Sequence, residues 1–241
     1  MIPNTEQPPP VYDEAWRERV EVPGCGRVRL RLIRPRDKRL LVRALAKLSP
    51  ESQYRRFLSP KARLSERELR YLTELDGVRH LAIGAVRVDA RGREREGLGV
   101  ARYVVLPGET EVAEAAVTVI DEAQGKGLGR MLLRRLTDAA RAHGVTHFRA
   151  SVLATNLPMR RLLEEVAQGS VVVSQDGPLV ELDVPITAQA PEGSGAGATA
   201  STSEVSPLER IMAAVAAGAV AVEHAVYRFL PGLVLKGEGE E

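Results

Sequence analysis

The sequence predicts a mixed α/β (α+β) fold, and three observations carry that reading. Residues 113–166 run strand, glycine-rich turn, long helix, strand and the start of another helix. Two pairs of strand-like runs, one before this unit and one after it, have hairpin spacing. Between the first strand and the first of those hairpins lie three short helical patterns.

In chain order, Val28-Arg29-Leu30-Arg31-Leu32-Ile33 alternates with strand period, and Pro35 ends it. Asp37 is placed to cap a helix whose inner face is Leu40, Leu41, Leu45 and Leu48. Pro50 opens a second helix carrying Tyr54, Arg56 and Phe57, the two aromatic residues expected in the core. Ser65-Glu66-Arg67-Glu68 is a capping box for a third helix, ending near Leu75. His80 to Val88 and Leu98 to Leu106 flank a polar turn and suit an antiparallel hairpin. Ala115 to Ile120 is apolar with β-branched residues, the signature of a buried strand. Leu128, Leu132, Leu136, Ala139 and Ala140 share one face of the long helix, and Gly144 is its stop. Phe148 to Val152 is the next strand, a helix begins near Pro158, and Val171–Ser174 with Leu179–Val184 closes the series as a hairpin through Asp176-Gly177.

Chemistry concentrates at Gln124-Gly125-Lys126-Gly127-Leu128-Gly129, which packs three glycines into five positions ahead of the long helix. A helix start leaves backbone N–H groups without intrahelical partners, and the macrodipole adds partial positive charge there. Glycine lets the main chain approach a phosphate, so the element reads as an anion cradle, with a tight structural turn as the competing reading. A P-loop is excluded because Lys126 is followed by Gly127 rather than Ser or Thr. The dinucleotide fingerprint is excluded because Arg130 stands where it needs Gly or Ala, and no acid ends the next strand.

The pattern Gln/Arg-x-x-Gly-x-Gly/Ala over Gln124–Gly129, Glu114 upstream and Asn156-Leu157-Pro158-Met159 downstream together resemble the GNAT family of acetyl-CoA-dependent N-acetyltransferases. Within it, the stretch from Val28 to Val184 looks most like bacterial protein-lysine acetyltransferase catalytic domains, with further likeness at Leu32–Pro35, Leu48–Ser52 and Tyr54–Phe57. The resemblance implies a mostly antiparallel central sheet with helices on both faces. It also implies acetyl-CoA as acyl donor, bound by the amides of Gln124, Gly125, Lys126, Gly127, Leu128 and Gly129 and by main-chain groups of splayed strand residues from Val117 to Val119. A backbone N–H near Val119 is the implied oxyanion donor, and Asn156 the contact to the CoA arm, a role compatible with capping the next helix. Tyr54 and Arg56 are implied on the acceptor side, Arg56 with a structural salt bridge as its alternative.

A lysine amine, with a pKa of about 10.4, must lose a proton before it can attack a thioester. Glu114 matches the family's general base, and burial would raise its pKa into the useful range. A strand-end carboxylate in solvent or a salt bridge is the competing reading, with Glu111 and Glu122 as alternative acids. Many family members also carry a tyrosine on the helix after Asn156; Arg160-Arg161-Leu162-Leu163-Glu164-Glu165-Val166 has none. The acceptor reads as a protein lysine, with a small-molecule amine or a non-catalytic acyl-CoA-sensing module as alternatives.

Composition narrows the rest. A chain of 241 residues buries one substantial core with a remainder too short for a second ordinary domain. Its parts read as a flexible segment over 1–26, the acetyltransferase-like domain over 27–186, a flexible Ala/Gly/Ser/Thr-rich linker over 187–207, and a C-terminal helix and tail over 208–241. The apolar stripe Ile211, Val215, Val222 and Val226 suits docking on the domain or self-association. Lys and Arg number 34 against 32 Asp and Glu, and only three Phe, five Tyr and one Trp are available for stacking, so no nucleic-acid partner is expected. The single Cys25 excludes an intramolecular disulfide, and the histidines lack ligand spacing, so no metal is expected. No apolar run reaches the roughly 18 to 20 residues of a membrane span, and residues 1–20 lack a secretory apolar core, so a cytoplasmic location is expected.

Overall fold

The computed structural model describes residues 11–57, 63–166 and 171–186. The linker expected over 187–207 and the C-terminal helix expected over 208–241 lie outside them. The described strands form one sheet, ordered β1-β2-β3-β4-β5-β6-β8-β7. They are β1 (Arg17–Val22), β2 (Gly26–Leu32), β3 (His80–Val88), β4 (Glu94–Val105), β5 (Val112–Val119), β6 (His147–Leu153), β7 (Val171–Asp176) and β8 (Leu179–Pro185). Every neighbouring pair is antiparallel except β5–β6. The helices are α1 (Lys38–Leu45), α2 (Pro50–Phe57), α3 (Glu66–Thr73), α4 (Leu128–Ala142) and α5 (Leu157–Val166).

Strand alternation divides the core between the two faces. Ala101, Tyr103, Ala113, Ala115, Val117 and Phe148 are buried on the face covered by α4, whose Leu128, Leu132, Leu133 and Leu136 are fully enclosed. On the opposite face α1 packs on β4 and α2 on β5. There Val100, Arg102, Val104, Glu114, Ala116 and Thr118 lie side by side in the β4–β5 register.

Within the stretch expected as a lead-in over 1–26, the described residues include a strand. Arg17–Val22 forms β1 and pairs with β2 around a turn whose Gly24 and Gly26 have φ of 71° and 73°. Its short alternation of Val with charged residues gives a weak strand signal, and pairing with β2 supplies what the local pattern lacks. β4 begins at Glu94 rather than Leu98, because the polar residues of the expected turn pair with β3 across two register shifts. The capping box at Ser65 forms as read: Ser65 Oγ accepts from Glu68 N at 3.2 Å, and Ser65 N donates to Glu68 Oε2 at 2.7 Å.

Asp37 departs from its expected role. It precedes α1 but makes no side-chain cap. Its carboxylate instead accepts two hydrogen bonds from Arg31, at 2.6 and 2.9 Å, and one from Arg34 N. Arg31, 1% exposed on β2, also donates to both oxygens of Glu94 at 2.9 and 2.7 Å. A buried guanidinium held by two carboxylates ties β2, the turn before α1 and β4 together, and these hydrogen bonds hold the Glu94 carboxyl down at about 2. Removing one partner strands a buried charge, so Asp37→Ala should lower stability by about 3–5 kcal/mol, read by urea unfolding at pH 7. Glu94's contribution should be complete above its unfolded value of 4.5 and drain as the pH falls towards about 2, which acid titration of stability will follow.

Candidate active site

The parallel β5–β6 ladder spans three pairs, Val112↔His147, Ala113↔Phe148 and Glu114↔Arg149. Beyond Glu114, β5 stays in register with β4 as far as Val119↔Gly99, and β6 with β8 as far as Leu153↔Leu179. The two strands therefore part into a V, and the β6-facing main chain of residues 115–119 has no ladder partner. A cleft of about 160 Å³ opens at this parting and reaches both faces of the sheet. Leu133, Asn156 and Leu163 line it on the α4–α5 side, Arg56, Tyr71 and Arg102 on the other, with Glu114 on its β5 wall.

Glu114 sits where the strands begin to diverge, so its side chain is partly buried yet faces the open cleft. Burial raises its carboxyl to about 7, against the downward pull of Arg56 and Arg102, and Glu181 adds to the rise. Such a group is substantially ionised at neutral pH and a far stronger base than an ordinary carboxylate. The alternative acids lie elsewhere. Glu122 is exposed and pairs with Lys47 at 3.4 Å and Arg87 at 3.2 Å. Glu111 is exposed, and its carbonyl accepts from the backbone of Thr146 and His147.

The glycine-rich turn follows a short 3-10 turn at the end of β5. Gly125 and Gly127 adopt φ of 70° and 81°, the left-handed region that favours glycine. Gly127 is the N-cap of α4, and no side chain caps that helix, which leaves its first amides facing outward. The Gln124 side chain braces the turn: Nε2 donates to Val119 O at 3.0 Å, Ser52 Oγ at 3.2 Å and Asp121 Oδ1 at 3.1 Å. Lys126 turns its amine away, donating to Glu122 O at 2.6 Å and Gly24 O at 3.0 Å. Leu128 is fully buried, so it and Lys126 have only backbone amides to offer an anion. An added Cβ at Gly129 would meet Leu162 and Val119 at 3.7 Å, ordinary contact distance. The Gln124 amide, expected in the cradle, is instead spent on Asp121 O at 3.2 Å, because Gln124 closes the 3-10 turn; the uncapped start of α4 supplies the amide chemistry that a diphosphate requires.

Other expected residues divide. The Val117 side chain is buried on the α4 face, and the residue lines the cleft. Asn156 is buried at the cleft and its Oδ1 accepts from Met159 N at 3.3 Å, capping α5. Arg56 lines the cleft with its guanidinium 5.1 Å from the Phe57 ring centroid. Tyr54 does not reach the cleft and is not in the core; it is 44% exposed, because two residues along α2 from Arg56 is about 200° around the helix. Sequence reasoning missed Tyr71 and Arg102. Arg102 had one signal, a charged residue inside the apolar run Val100-Ala101-Arg102-Tyr103-Val104. Tyr71, on α3, carried none.

Comparison with known proteins agrees with this architecture. Residues 46–167 match the acetyltransferase (GNAT) family. Acetyltransferase Pat of Mycolicibacterium smegmatis is 34% identical over 158 residues, an alignment covering 65% of this chain and 45% of Pat. The chain thus spans less than half the length of that relative. Acetyltransferase PA5475 of Pseudomonas aeruginosa is 33% identical over 135 residues, covering 56% of this chain and 71% of that protein. The crystal structure of the GNAT domain of S. lividans PAT superposes with a TM-score of 0.62 at 27% identity, covering 73% of this chain and 99% of that one. The chain belongs to the acetyltransferase (GNAT) family.

Proposed function

We propose that this chain transfers acetyl from acetyl-CoA to a lysine side chain of a protein by direct attack, with Glu114 as the general base. The observation that carries the reading is a carboxyl raised to about 7 at the mouth of the β5–β6 parting. The motif resemblance to protein-lysine acetyltransferase domains and the similarity to Pat and PAT support a protein lysine as acceptor.

In this reaction bound acetyl-CoA supplies the thioester and the leaving thiol. Glu114 takes the proton that the ammonium must lose, so that the amine nitrogen can bond to the acetyl carbon as the carbon–sulfur bond breaks. The free main chain near Val119 offers the N–H for the oxygen that gains charge. Amides of Gly125, Lys126, Gly127, Leu128 and Gly129 hold the diphosphate, Gln124 braces the turn that presents them, and Asn156 supports the arm between. α5 carries no tyrosine of the kind that many relatives use to protonate the thiolate, so water is the proton source here. That missing hydroxyl is also what favours the second reading, an acyl-CoA-sensing module with little turnover.

Thiol release from acetyl-CoA with lysine-containing acceptors tests the base. Glu114→Gln should lower kcat by about 10² to 10⁴-fold and leave acetyl-CoA affinity unchanged. In the wild type kcat/KM should climb with pH through about 7, where Glu114 loses its proton, and the variant should lack that limb. Equal rates in both proteins would remove Glu114 from proton transfer, and binding without release on any acceptor would favour the sensor. Gly127→Ala tests the cradle. Its Cβ meets nothing within 4 Å, but φ of +81° strains it, so the backbone must shift. Acetyl-CoA affinity by calorimetry should fall at least about tenfold, the worth of one lost hydrogen bond to a charged group.

A further inference from the structure

Arg55, Arg56 and Arg102 line the cleft with Glu68 and Glu114, and among the described residues neither Arg56 nor Arg102 forms an ion pair. Arg102, only 6% exposed, meets His80 Nε2 through Nη2 and lies 5.0 Å from the Tyr71 ring centroid. His80 is held down at about 4 by burial and by Arg102 itself, so it is a neutral acceptor that cancels no charge. Arg56 rests on Phe57, and its charge works against that of Arg102. Arg55, next along α2, is paired with Glu51 at 2.5 Å. Glu114 is the acid coupled to both cleft guanidiniums, and burial keeps it only partly ionised at neutral pH.

Contrast Arg31, equally buried, whose charge is matched by Asp37 and Glu94. Arg160 is as buried as Arg102 and lacks a carboxylate too, but it is not part of the cleft lining and its Nη1 donates to Ala154 O. An uncompensated buried guanidinium is costly, and a cleft-facing one is compensated when a ligand brings the anion. The cradle for the donor's phosphates lies at the start of α4, so this anion belongs to the acceptor. In the β4–β5 register Glu114 is opposite Val104 and Arg102 opposite Ala116, so Glu114 and Arg102 are diagonal neighbours on one face. That separates them by about 7–8 Å, a span suited to an amine and a carboxylate on adjacent groups.

We propose that Arg102, with Arg56, forms an anion subsite that takes a carboxylate carried by the acceptor close to its reacting amine. The subsite rests on the acyl-transfer reading of Glu114 and names the chemistry of its acceptor. The carboxylate comes from a Glu or Asp side chain beside a protein lysine or from the α-carboxylate of a free amino acid.

Calorimetric titration of the full chain in its CoA complex, with thiol release measured in parallel, tests this. A peptide centred on Glu-Lys-Glu should bind at least about tenfold tighter than its Gln-Lys-Gln counterpart, as a charge-assisted fork implies. Arg102→Gln and Arg102→Met should erase the difference while CoA affinity and thermal unfolding stay near wild type, and Arg102→Lys should keep part of it. Should the Arg102 variants fail to fold, Arg56→Gln should show a reduced preference. If free lysine outbinds lysinamide and the two peptides do not differ, the subsite stands and its source is a free amino acid. Equal or absent binding in both comparisons, or a preference that survives these variants, overturns it. Thiol release with equal binding leaves the acyl-transfer reading standing alone, whereas a carboxylate preference without release on any acceptor removes that reading and keeps the subsite.

Discussion

The parting of β5 from β6 is the constraint on which the rest of the molecule depends. β5 is committed to β4 along its length and β6 to β8, so the two can share hydrogen bonds only through Glu114↔Arg149. Past that point a gap in the sheet is the only arrangement that both commitments allow. The gap frees the main chain of residues 115–119, carries the cleft from one face to the other, and brings side chains from α2, α3, α4 and α5 to one space. It also puts the glycine-rich turn at the end of β5, with the start of α4 opening beside the parted strands.

The electrostatics of the cleft follow from its position in the sheet. A carboxyl at the vertex is shielded by the remaining ladder, so burial raises it, and two nearby guanidiniums keep the rise moderate. Those guanidiniums lie against the rings of Phe57 and Tyr71, and although Glu68 of α3 also lines the cleft, Glu114 is the acid whose charge bears on both. Elsewhere the protein handles buried charge in the opposite way, and the Arg31 network shows it: every donor is matched and the result is structural.

Much of the fold was legible because its signals are local. The capping box at Ser65, the apolar face of α4 and the alternation in β2 and β8 each state an element within a few residues. The glycine-rich turn was legible for the same reason, since left-handed turn residues demand glycine wherever they occur. Glu114 was readable from motif context. The strand at 17–22 was not, because its stability comes from pairing with β2. Asp37 was misread as a cap because nothing local reveals a buried arginine six residues earlier in need of two acids. Tyr54 was expected in the core, or on the acceptor side by resemblance, and the helix phase turned it outward.

By itself, then, the sequence determined most of the elements, the glycine-rich turn and the place of the acid that precedes it, since each depends on residues close together along the chain. Only the tertiary structure decided how far β5 and β6 stay paired, which side chains meet across the gap, and what proton affinity Glu114 has there. Those properties arise from desolvation and charge at distances set by packing, and Arg56, Tyr71, Arg102 and Glu114 come from four separate elements. No pattern along the chain encodes their meeting, because sequence separation carries no information about the field that one group exerts on another.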